Sequence, residues 1–173
     1  MKILFLSILS IFLFIVNPVN SDQKIVFINM QKVLETSNSG SSVLKQLNDI
    51  NNKNLKFLKK EEKKFTEKET KLFSQKNIIT ESDFQNKIND LKTEIKKYNQ
   101  NKKKIITDFN KLKVDNTNKL LQLINPILVK FSNDKEISII LQKKDLVVAK
   151  TELDITEEII KIINAEVKEF KIK

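Results

Sequence analysis

The chain has 173 residues, a formal net charge of +10, no cysteine, no histidine and one glycine, Gly40. Without cysteine there is no disulfide framework, and without cysteine or histidine there is no Ser-His-Asp triad, no Cys-His pair and no histidine-ligated metal. A lone glycine cannot build a phosphate-cradling loop, so ATP-driven work is not expected; nor is an enzyme, a cofactor or a metal.

Met1 and Lys2 make a short positive start, and Ile3 to Val16 is an uninterrupted apolar run. Val19-Asn20-Ser21 then places small residues where signal peptidase reads. Residues 1–21 are therefore expected to be a cleaved secretory signal peptide, with an uncleaved anchor as the competing reading. No later apolar run approaches the ~20 residues a bilayer needs. The mature protein, starting near Asp22, is expected to be exported and to have no membrane span.

"KIVFINMQKVLE" (Lys24 to Glu35) alternates like a strand over Lys24 to Asn29 and then reads as a helix. The middle of the chain is different. Lys53 to Lys119 carries nineteen lysines against ten acids, while Asp22 to Asn52 and Leu120 to Lys173 are each neutral. The whole mature charge of +9 therefore sits in the middle, and every basic residue is lysine.

Two helices are expected there. Leu44, Asn51, Leu58, Phe65 and Leu72 repeat at sevens, but the alternate positions are Leu55, Glu62 and Glu69, so the first helix leans on a partner. From Phe84 a 4,3 spacing runs through Ile88, Leu91, Ile95, Tyr98, Lys102, Ile105, Phe109, Leu112, Asn116, Lys119 and Leu123, predicting a long coiled-coil helix from about Ser82 to Ile124. Thr80 or Ser82 is placed to cap it. So short a join, with its tip at about 76–82, predicts an antiparallel hairpin.

Pro126 is expected to break or kink the helix, with Asn125 capping a final turn. Glu136 to Gln142 and Asp145 to Lys150 then read as two β-branched strands in a hairpin around Lys143-Lys144. A C-terminal amphipathic helix follows, capped by Thr156 and burying Ile159, Ile160, Ile163 and Val167.

The fold class is thus α+β, mainly α. A basic helical hairpin arm (42–124) is inserted between two parts of a small β body (22–41 and 125–173). Three short strands leave exposed edges that association of several copies would cover. Ile25, Phe27, Ile139 and Val147 are the expected residues of that oligomeric body.

The signal peptide followed by "KIVFINMQKVLE", the charged hairpin, the "ISIILQ…LVVAK" pair and the closing "LDITEEII" resemble the Skp/OmpH periplasmic chaperones of Gram-negative bacteria. The resemblance covers essentially the whole mature chain. It implies a jellyfish-shaped homotrimer, a small β-barrel body with three helical arms around a cavity that holds unfolded outer-membrane proteins without ATP. Periplasmic localisation follows from it. The lysine-only composition and the polar second seam of the first helix depart from a regular arm.

Transmembrane β-strands alternate apolar and polar residues and cannot fold before reaching lipid, so a protector must cover apolar surface at many weak points. Phe57, Phe73, Ile78 and Ile79 lie off the best stripe or at the tip and are candidate client contacts, with inter-helix packing as the competing reading for each phenylalanine. Lys59, Lys60, Lys63, Lys96, Lys97 and Lys103 would attract acidic segments collectively. The paired carboxylates Glu61-Glu62 and Glu157-Glu158 read as solvated faces. A coiled-coil spacer or adaptor of the envelope is the alternative function. Nucleic-acid binding through lysine is expected to be non-specific only.

Overall fold

The computed structural model describes residues 23–172, so the expected signal peptide and the cleavage point near Asp22 lie outside the described residues. Chain order is β1 (Lys24–Ile28), α1 (Met30–Thr36), α2 (Asn38–Ser74), α3 (Glu81–Asp134), β2 (Ile137–Gln142), short 3-10 turns at Lys143–Asp145 and Thr151–Leu153, and α4 (Thr156–Glu166). The α+β, mainly α architecture expected from the sequence is the one observed.

β1 and β2 pair in parallel, with Val26 opposite Ile140 and Phe27 opposite Leu141. A parallel pair needs a crossover connection, and here α1 and the entire arm supply it. Alternation gives the small sheet two faces. Val26, Ile28 and Ile140 face a core closed by Leu120, Ile124, Ile127 and Phe131 of α3 and by Ile159, Ile160 and Ile163 of α4. Ile25, Phe27, Ile139 and Leu141 occupy the other face, where Ile139 remains 44% exposed.

Local chemistry sets the joints. The Asn29 side chain accepts the Lys32 N–H at 3.0 Å and starts α1, and Ser37 Oγ accepts the Gly40 N–H at 3.2 Å and starts α2. The one glycine is needed for close packing, because a Cβ on Gly40 would lie 2.1 Å from the Leu34 carbonyl oxygen. At the other end of the body, the Ile155 N–H donates to the Phe27 carbonyl at 3.0 Å, so the "DIT" segment extends the sheet by one bridge beyond β1.

Four expectations need correction. First, Asp145 to Lys150 forms no strand and no hairpin with β2. Lys143 instead turns the chain over the outer face, its ammonium 5.6 Å from the Phe27 ring centre and 3.2 Å from Asp154 Oδ2. Val147, expected in the body, is 100% exposed in the single chain. Second, Pro126 does not break the helix; α3 runs through it. Proline leaves the Gln122 carbonyl without its helical donor, at a cost of about 3 kcal/mol, but Ile124, Ile127 and Phe131 are all buried on one face around it, and that burial outweighs the loss.

Third, the α3 seam shifts near the body. Every predicted position from Phe84 to Asn116 is buried or half-buried, but beyond it Leu120 and Ile124 are buried while Lys119 and Leu123 are exposed. Spacing of four replaces the 4,3 alternation where α3 stops facing α2 alone and begins to face the body core. Fourth, Thr156 is the first residue of α4 and not its cap. Asp154 accepts the Thr156 N–H at 3.0 Å and also its hydroxyl, while Thr156 Oγ1 accepts the Asn29 N–H at 2.9 Å.

This network joins β1 to α4. Burial pushes the Asp154 carboxyl up, but the hydrogen bonds from Thr156 and the nearby Lys143 outweigh it and hold the pKa below its ordinary 3.8. A depressed carboxylate contributes stability above the unfolded pKa and loses it as pH falls through the folded one. Thr156→Val is expected to cost about 1–3 kcal/mol at neutral pH, since it orphans the Asn29 N–H. It should also shrink the loss of stability between pH 7 and pH 3, as ~pH 3 lies below the ordinary carboxylate range. Urea unfolding at both pH values checks both.

Candidate functional site

The arm is held together unevenly along its length. At the tip, Leu72 of α2 and Phe84 and Leu91 of α3 are buried together, with Phe65, Ile79, Ile88 and Ile95 packed around them. Thr80 closes the turn, accepting the Asp83 N–H at 3.1 Å and donating to the Asp83 carboxylate at 2.7 Å. Phe73 lies edge-on to Phe84 with ring centres 6.0 Å apart.

Midway along the arm the seam turns polar. Glu62, which reads in sequence as a defect in the first helix, accepts the Tyr98 hydroxyl at 2.9 Å and the Lys102 ammonium at 2.7 Å, both from α3. The hydrogen bond from Lys102, then that from Tyr98, holds the Glu62 carboxyl below its usual range. Burial first, and then the Glu62 carboxylate, pushes the Tyr98 hydroxyl up to about 12. Lys68 and Glu94 add a second cross-arm pair at 2.5 Å. Lys102 and Glu62, two of the polar residues at seam positions, satisfy each other.

The expected contact residues separate into distinct environments. Ile78 stands 80% exposed at the tip turn, and Phe57 and Phe73 are each about half exposed. Ile79 is half-buried in the tip cluster and supports the turn. Lys59, Lys60, Lys96, Lys97 and Lys103 are exposed and form no salt bridge among the described residues, whereas Lys63 lies 3.7 Å from Glu67. In the body, Phe27 is buried while Ile25, Ile139 and Val147 are exposed.

A further set escaped the sequence reading. Ile106, Val114 and Leu121 are exposed on α3 at spacings of eight and seven, turned away from the packed seam. That offset repeat was the available signal. Leu121 also lines an open groove of about 650 Å³ with Met30, Leu34, Ile124, Asn125 and Leu128. Among the described residues, no helix is long and apolar enough to cross a membrane.

A family model described as outer membrane protein (OmpH-like) matches residues 24–163, from the first residue of β1 into α4. The chain belongs to the OmpH-like family. The match takes in both halves of the body and the whole arm. Among solved structures, an OmpH-like candidate outer-membrane chaperone from Caulobacter crescentus superposes with a TM-score of 0.72 at 15% identity, covering 87% of this chain and 89% of that one. At that identity the likeness establishes the OmpH-like fold. No curated protein matches the sequence.

Proposed function

We propose that this OmpH-like protein is an ATP-independent periplasmic holdase, which binds unfolded outer-membrane proteins after its signal peptide is cleaved and keeps them from aggregating. The observation that carries the reading is the partition of the molecule. A neutral body is joined to an arm bearing the entire +9 charge of the mature chain, where Lys59, Lys60, Lys96, Lys97 and Lys103 are exposed without a salt bridge among the described residues and Phe57, Phe73 and Ile78 are exposed on the same arm. Exposed apolar groups beside mobile ammonium groups give many weak, adaptable contacts, which suit a client without structure.

Homotrimerisation is part of the proposal. The β2 edge away from β1 has no strand partner among the described residues, and Ile25, Ile139, Leu141, Val147 and Val148 leave apolar surface uncovered beside it. A second copy supplying a strand would satisfy the backbone and the apolar face together. Three arms projecting from one body would then enclose a client.

The test is aggregation of an outer-membrane protein diluted from urea, measured by light scattering with and without nucleotide, beside a native molecular mass. Suppression by a trimer with no nucleotide requirement is the expected result. An oligomer that leaves aggregation unchanged would favour a coiled-coil spacer of the envelope, and a monomer would overturn the enclosed-client geometry.

A further inference from the structure

The segment after α4 returns to the root of the arm. Val167 is buried in the body core and Phe170 packs against its edge. From there the chain crosses both arm helices. The Gln46 side chain of α2 donates to the Phe170 carbonyl at 3.0 Å and accepts the Ile172 N–H at 3.2 Å, binding an extended backbone by its two polar groups at once. On α3, the Lys119 ammonium lies 4.4 Å from the centre of the Phe170 ring. Nearby, the Asn164 side chain accepts the Asn38 N–H, the first of α2, at 2.7 Å.

These contacts explain two residues that the seam leaves over. Gln46 is half-buried where α2 leaves the body, and Lys119 is turned out of the α2–α3 seam by the shift after Asn116. Both engage the same aromatic residue from opposite helices. Beyond Gln46, α2 continues to Ser74, a lever of about 40 Å at 1.5 Å per residue. Slack at the root is therefore multiplied at the tip.

We propose that residues 167–172 form a clamp that fixes the two arm helices to the body, so that the spread of the arm is set from the C-terminus. The clamp stands on the fold alone and is independent of the holdase reading. Its bonds lie at the half-exposed edge of the core, where local opening is cheaper than unfolding, so it can release without loss of the body.

The experiment compares the mature protein with Gln46→Ala and with a chain ending at Lys168, which keeps Val167 in the core. Amide hydrogen exchange is followed at residues 43–50 of α2, at the α4 residues around Ile159 and Ile163, and at the tip around Leu72 and Phe84. Exchange at the arm root should rise about tenfold, as fits losing one or two net hydrogen bonds, while α4 and the tip stay unchanged. Because the chain has no cysteine, spin labels at introduced cysteines replacing Asn77 and Lys161 give a second readout, a broader tip-to-body distance distribution in both variants. Unchanged root exchange and an unchanged distribution would overturn the clamp. So would a uniform rise in exchange throughout the molecule, which would make the tail ordinary core.

Discussion

Ile163→Asp is expected to unfold the body, whereas Ile139→Asp should leave each chain folded and prevent its assembly. Ile163 is 0% exposed, among Val33, Ile124 and Ile159. A carboxylate there has no partner, and its desolvation, with the lost apolar burial, costs several kcal/mol out of a total that is usually about 5–15 kcal/mol. Ile139 lies on the outer face of the sheet, so an aspartate at that position meets water in the single chain. It meets apolar surface only if another copy covers it. Circular dichroism with urea titration should show an early, broadened transition for Ile163→Asp and a near-normal one for Ile139→Asp. Size exclusion should show the latter as a monomer. An oligomer of unchanged mass in Ile139→Asp would remove this face from the interface.

Reversing Lys59, Lys60, Lys63, Lys96, Lys97 and Lys103 to glutamate is expected to slow capture of an unfolded outer-membrane protein by on the order of tenfold at low salt, with the holding itself weakened but not abolished. The change is twelve charge units, which takes the Lys53 to Lys119 segment from +9 to −3. All six side chains are exposed, and of them only Lys63 forms a salt bridge among the described residues, so the seam and the Glu62–Tyr98–Lys102 layer stay intact. Phe57, Phe73 and Ile78 also remain, which is why residual protection is expected. For the wild-type arm, capture should slow as added salt shortens the Debye length from ~10 Å toward ~3 Å. Equal capture rates for the two proteins across that range would remove electrostatic attraction from the mechanism.

Much of this architecture is legible in the chain because its signals are periodic. The heptad positions from Phe84 to Asn116 predict one continuous buried seam, and the isoleucines of α4 predict its inward face. The failures come where tertiary contacts decide. A β-branched run such as Val147-Val148 has the composition of a strand, yet a strand forms only where the chain runs alongside an edge, and Lys143 carries the chain away from β2 toward Phe27 and Asp154. Pro126 carries a real local penalty that burial on both sides overrides. Ile79 reads as a free tip residue because periodicity says nothing about how a turn folds back onto its own helices. For the lysines, sequence shows where the charge lies but not which side chains are paired, and that depends on the rotation of two helices against each other.

The parallel pairing of β1 with β2 also fixes an order of events. Lys24 and Ile137 flank the arm in sequence, so joining them directly in an unfolded chain would close a very long loop. The arm needs no such step. Its tip turn is short, and each pairing beyond it adds neighbours already brought close, as in any fold of low contact order. Zipping from Thr80 toward the body shortens the loop until β1 and β2 meet. A chain synthesised from its N-terminus must also wait for Ile137 to Ile163 before its body can close. The arm is thus expected to fold before the body, so that in the trimer proposed above each protomer would have its helical hairpin in place before it has a surface with which to assemble.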